Sequence, residues 1–77
     1  MFMDKEFKHK EGTIKVTQQE DSITVNPLEK EGIIEVNNSQ SKESILQEVE
    51  DKLNLMYTGY PTVVKEFIKW LEDVVWK

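Results

Sequence analysis

His9 is the only histidine in this chain, and there is no cysteine. Those two facts remove most of the chemistry a small domain performs. Thiol catalysis and thiolate metal sites need cysteine, and a zinc site needs more nitrogen or sulfur donors than one imidazole supplies. Glu48 and Asp51 stand three residues apart on a helical pattern and therefore share a face. That pair would hold a divalent cation weakly, with nothing nearby to complete the coordination. Only three glycines are present, at positions 12, 32 and 59, so no glycine-rich loop exists to cradle phosphate. His9 falls on the apolar side of a strand pattern, where a packed ring is the expectation. The chain reads as non-catalytic, with no cofactor and no metal.

Two short motifs are coincidences. Ser39-Gln40-Ser41-Lys42 spells the serine-x-x-lysine of penicillin-binding enzymes, whose chemistry needs a far larger domain and further motifs. Asn37-Asn38-Ser39 spells a glycosylation sequon, without consequence in a cytoplasmic chain. A cytoplasmic location is expected from a start that turns charged at Asp4, with no apolar leader, and from the lack of any run long enough to span a bilayer.

Strands fill the first half. Ile14 and Val16 alternate with Lys15 and Thr17, Ile23 and Val25 with Thr24 and Asn26, and Ile34 and Val36 flank Glu35. Turn-forming residues separate the runs at Glu11-Gly12, at 18–21 and at 26–32. With Glu11-Gly12 as a two-residue turn, Phe7 falls opposite Val16 and His9 opposite Ile14. A turn centred on Gln19-Glu20 sets Val16 opposite Ile23 and Ile14 opposite Val25; beyond it, Val25 faces Ile34 and Ile23 faces Val36. One sheet face then gathers every apolar residue of the four runs except Ile33, and a one-residue slip would scatter them. The other face, with Lys8, Lys15, Thr17, Thr24 and Glu35, should be wet.

Helices fill the second half. Ser39 or Ser41 is the expected N-cap, with Glu43 in the first turn. Ile45, Leu46, Val49, Leu53, Met56 and Tyr57 recur at three- and four-residue steps, Gly59 suits a helix end, and Pro61 suits the next helix start. Val63, Val64, Phe67, Ile68, Trp70, Leu71, Val74 and Val75 make a stripe of about 160° on that second helix. The fold class expected is α+β. An antiparallel three- to four-stranded β-meander (about 5–10, 13–18, 22–26 and 32–37) precedes a two-helix hairpin (about 41–57 and 61–76) packed on one face of the sheet, as a single domain over 1–77.

Seventy-seven residues bury only about 60–65% of their unfolded surface, so tight packing or a second subunit must supply stability. The ten basic residues are all lysine, and alanine is absent as well. Avoidance of two residues with GC-rich codons marks an AT-rich coding sequence, bacterial or phage. The net charge of -5 lies entirely in residues 21–60, where eight acids face three lysines. Direct nucleic-acid binding is disfavoured without a basic face or arginines.

What remains is partner binding. Trp76 lies about 80° beyond the edge of the apolar stripe, and Leu55 stands on the polar side of the first helix beside Glu48 and Asp51. With Tyr60 and Trp70 they are expected to form an anchoring patch at the helical hairpin. The acidic residues Glu43, Glu48, Glu50 and Asp51 would steer a basic or nucleic-acid-processing protein partner. In general character the small size, acidity and AT-rich coding resemble the early proteins of phages and mobile elements. That resemblance implies a stoichiometric regulator or inhibitor of a host protein. The alternative is a structural homodimer, or assembly subunit, that spends its apolar excess on itself.

Overall fold

The structure, a computed structural model, describes residues 3–75. Four strands come first: β1 (Met3–His9), β2 (Gly12–Gln18), β3 (Ser22–Pro27) and β4 (Ile34–Asn37). Two helices follow, α1 (Lys42–Met56) and α2 (Pro61–Val75). The strands form one antiparallel sheet in sequence order, a plain meander, and the helices pack on one of its faces. The architecture is the expected two-layer α+β arrangement, with the first strand present and the sheet four-stranded.

Alternation decides which side chains meet. Phe7, Ile14, Val16, Ile23, Val25, Ile34 and Val36 line the covered face. Against them stand Ile45, Val49, Leu53 and Tyr57 of the α1 segment and Val63, Val64, Phe67 and Leu71 of α2. The opposite face carries Glu6, Lys15, Thr17, Thr24 and Glu35, paired across strands as Glu6↔Lys15, Thr17↔Thr24 and Thr24↔Glu35. A sheet with one covered face produces this split of apolar and polar positions.

Register departs from expectation in the first two hairpins. Phe7 pairs with Ile14 rather than Val16, and His9 with Gly12 rather than Ile14. Val16 pairs with Val25 rather than Ile23, and Ile14 with Pro27 rather than Val25. The third hairpin has the expected pairs, Ile23↔Val36 and Val25↔Ile34. The first turn is Lys10-Glu11, and neither residue adopts a positive φ. The positive φ of this hairpin, 134°, falls on Gly12, which opens β2 instead of sitting in the turn. The second turn is Glu20-Asp21 rather than Gln19-Glu20, closed by Gln19 N–H donating to the Ser22 carbonyl at 2.9 Å. Each slip is by two residues, so every side chain keeps its face.

Ser41 caps α1, its hydroxyl accepting from the Ser44 N–H at 3.2 Å; of the two expected caps it is the one used. Gly59 takes φ 88° in the link to α2, and Pro61 is the first residue of that helix. Lys42 at the start of α1 meets Glu72 in the last turn of α2 at 3.4 Å, as an antiparallel helix pair requires. No helix among the described residues is long and apolar enough to cross a membrane.

One core group is unpaired. The Tyr57 hydroxyl is buried with no hydrogen-bond partner among the described residues. Burial, and after it the Glu29 carboxylate, pushes its pKa above the ordinary phenol value, so it stays a neutral donor. A buried donor without an acceptor costs about 1–3 kcal/mol. Tyr57→Phe is therefore expected to gain about 1 kcal/mol, read as a higher urea midpoint with unchanged slope. The Lys30 ammonium, 5.0 Å from the ring centroid, keeps an aromatic face in the variant.

Candidate interaction surface

Three connections converge at one end of the molecule: the β1–β2 turn, the β3–β4 loop and the α1–α2 link. Leu28 N–H donates to the Thr13 carbonyl at 2.9 Å, tying the β3–β4 loop to the start of β2. Glu29 Cγ lies 2.6 Å from where a Cβ on Gly12 would stand, so the same loop rests on the first hairpin. Lys30 over the Tyr57 ring joins that loop to the end of α1. Met56 Cε lies 3.1 Å from the Cβ position of Gly32 and adds a second tie. The link closes with Tyr60 N–H donating to the Tyr57 carbonyl at 2.9 Å.

That end holds the exposed large apolar side chains of the described residues. Leu28 is 52% exposed, Ile33 63%, Leu55 80% and Tyr60 50%. Leu28 and Ile33 come from the β3–β4 loop, Leu55 from the last turn of α1, and Tyr60 from the link. Single exposed apolar residues are ordinary; these four come from three segments whose ends meet at one loop pole.

A cleft of about 260 Å³ opens on the same pole, between the β1–β2 turn and the start of α2. His9, Lys10, Glu11, Tyr60, Thr62 and Glu66 are among its lining residues. His9 stacks on Phe7 at 5.8 Å with the rings 21° apart. Its Nδ1 accepts from the Glu11 N–H at 3.1 Å, which leaves the proton on Nε2 to donate to Glu66 Oε1, also at 3.1 Å. Both nitrogens are thereby hydrogen-bonded within the chain. A second, wider depression of about 390 Å³ is lined by the polar residues Gln19, Asp21, Ser22, Glu35 and Asn37. Ser22 Oγ donates to Gln19 Oε1 there at 3.0 Å, which braces the β2–β3 turn. Among the described residues no group of three His, Asp or Glu side chains is placed to hold a metal ion.

The four expected anchors do not share one place. Leu55 and Tyr60 lie at the loop pole. Trp70 is ten residues beyond Tyr60, about 15 Å along the helix axis. It packs on Phe7 at 5.4 Å and on Phe67 at 5.6 Å between ring centroids, extending the core over β1. Trp76 lies outside the described residues.

The acidic residues divide as well. Glu48, Asp51 and Leu55 follow at steps of three and four, forming one column on α1, while Glu43 and Glu50 share a different direction. Lys52 Nζ meets Glu48 Oε2 at 2.9 Å, and Gln47 Nε2 donates to Asp51 Oδ1 at 2.9 Å. The Lys52 hydrogen bond holds the Glu48 carboxyl below its usual range against the opposing effect of desolvation, with Gln40 adding to the lowering. Leu28 was not legible as a site residue, because it follows Pro27 in a turn-rich stretch. Ile33 stood out only as the apolar residue on the wet side.

Compared with known protein families, curated proteins and solved structures, the chain matches none.

Proposed function

We propose that this chain is a small, acidic, non-catalytic protein-interaction module of the cytoplasm. It regulates or inhibits a protein by stoichiometric binding, and the loop pole is its contact surface. The observation that carries the reading is the exposure of Leu28, Ile33, Leu55 and Tyr60 on three segments whose ends meet at this pole. Exposed apolar side chains rimmed by polar ones are the composition of a binding patch. Glu29 and Glu31 sit within the loop that supplies Leu28 and Ile33, and Asp51 and Glu48 stand behind Leu55. A partner with a basic rim around an apolar centre suits that distribution, and nucleic-acid-processing proteins are among those with such surfaces.

The test compares retention of proteins from cells that express this chain on immobilised wild type and on two pole variants, Leu55→Asp and Ile33→Asp. Both side chains are already in solvent, so folding should be unaffected within about 0.5 kcal/mol. Loss of a central anchor costs about 2 kcal/mol or more, so the retained protein should bind each variant roughly 30-fold more weakly. Its association with wild type should also slow as salt rises. Retention equal on wild type and both variants overturns the assignment.

A further inference from the structure

β1 is an edge strand of seven residues, with β2 on one side and no strand of this chain on the other among those described. Which of its backbone groups face outward follows from the neighbouring ladder. The Thr13 carbonyl accepts from Leu28 and so points toward β3, away from β1. Thr13 is the partner of Lys8, so that pair is not hydrogen-bonded, and Lys8, Glu6 and Asp4 turn their N–H and C=O groups to the free edge.

The charges along that edge have an order. From Asp4 through Glu6 and Lys8 to Lys10, every second position reads minus, minus, plus, plus. The sequence of signs is antisymmetric about Phe7. We propose that β1 is a self-complementary edge, through which two copies of this chain pair antiparallel about Phe7 and merge their sheets into one.

In this register Glu6 of each copy lies opposite Lys8 of the other, in hydrogen-bonded pairs built from the outward groups. Past the strand end, Asp4 comes alongside Lys10 of the other copy's β1–β2 turn. Opposite charges in directly facing pairs stabilise a sheet and like charges oppose it. A slip of two residues one way sets Glu6 against Glu6, and the other way Lys8 against Lys8. Each slip keeps two opposite-charge pairs beside its one like-charge pair, against four opposite pairs about Phe7, so charge favours the Phe7-centred register. On the covered face the two Phe7 rings meet at a non-hydrogen-bonded position, where side chains approach most closely.

Ordinary layer spacings leave room for this. Helices about 10 Å apart, centred over strands about 4.8 Å apart, place the α2 axis about 2 Å inside β1. The α2 helices of the two copies then run about 9–10 Å apart, the ordinary packing distance. The pairing also sets Lys5 of the second copy opposite His9, next to the Glu66 carboxylate that His9 holds. This edge meets the loop pole only at the β1–β2 turn and uses none of Leu28, Ile33, Leu55 or Tyr60, so the proposal does not rest on that surface.

Light scattering coupled to size exclusion, over a roughly hundredfold range of concentration, reads the self-association. Wild type should pass from monomer to dimer. Lys8→Glu and Glu6→Lys each turn two opposite-charge pairs into two like-charge pairs and should weaken the dimer at least tenfold. The double exchange restores opposite charge and should recover the dimer. Glu6→Lys also faces Lys15 within the chain, whereas Lys8→Glu faces Thr13, so Lys8→Glu remains decisive if the other variant loses stability. A wild type monomeric throughout, single variants that dimerise as wild type does, or a folded double exchange that stays monomeric would each overturn the proposal.

Discussion

Phe67→Ala should cost about 3–5 kcal/mol, which approaches the whole stability of a domain this size. At roughly 0.05–0.15 kcal/mol per residue, a 77-residue domain has about 4–12 kcal/mol in total. Phe67 is fully buried, edge-on to Phe7 at 5.5 Å and tilted against Trp70 at 5.6 Å. Phe7 and Trp70 touch each other as well, so the three rings form a triangle linking α2 to the edge strand. Alanine removes the apex and leaves a cavity that β1 can fill only by moving. Each lost aromatic pair adds about 0.5–1.5 kcal/mol to the transfer loss. Urea unfolding should show a midpoint lowered by the corresponding amount with an unchanged slope. Phe67→Leu keeps most of the volume and should lose clearly less. A loss under about 1 kcal/mol for alanine would mean that the triangle does not hold α2 to the sheet.

Gly12→Ala is expected to cost about 1–3 kcal/mol for two separable reasons. A φ of 134° strains any L-residue, and the new Cβ would stand 2.6 Å from Glu29 Cγ. Because Glu29 belongs to the β3–β4 loop, relieving the contact shifts the loop that carries Leu28 and Ile33. Truncating the obstacle separates the two contributions: Glu29→Ala in the same chain should restore the steric part but leave the backbone strain. The melting temperature of the single variant should fall by about 4–8 °C per kcal/mol, with partial recovery in the pair. Full recovery in the pair would show that φ at position 12 carries no strain, and no fall at all would contradict the turn geometry.

Those two positions also show what the sequence conveys and what it does not. Alternation of apolar residues told which face of each strand is buried, because a side chain changes face only when the register slips by an odd number. Turn length is written much more weakly. Glu11-Gly12 resembles a turn because glycine accepts positive φ, yet the chain turns at Lys10-Glu11 and uses the glycine one step later. Two hairpins therefore pair two residues away from expectation while every core residue stays where the pattern put it.

The site was legible only in part. Leu55 and Tyr60 follow from helical phase and from a short link, both local properties. Leu28 and Ile33 join them through tertiary contacts of the β3–β4 loop with Gly12, Tyr57 and Met56, which no periodicity records. Trp70 looked like surplus apolar surface because the stripe on α2 is wider than one sheet face needs. The surplus is used on the edge strand, where Trp70 packs on the Phe7 ring.

The most direct test of the central claim places a photo-crosslinking residue at Leu55 and, in a parallel chain, at Thr17 on the open sheet face. Illumination in cells that express the chain should join the first variant to one protein of defined mass in a one-to-one adduct. The second should give no such adduct. Equal adducts from both positions, an adduct from Thr17 alone, or an adduct from Leu55 of twice the chain's own mass would contradict binding of a separate partner at the loop pole.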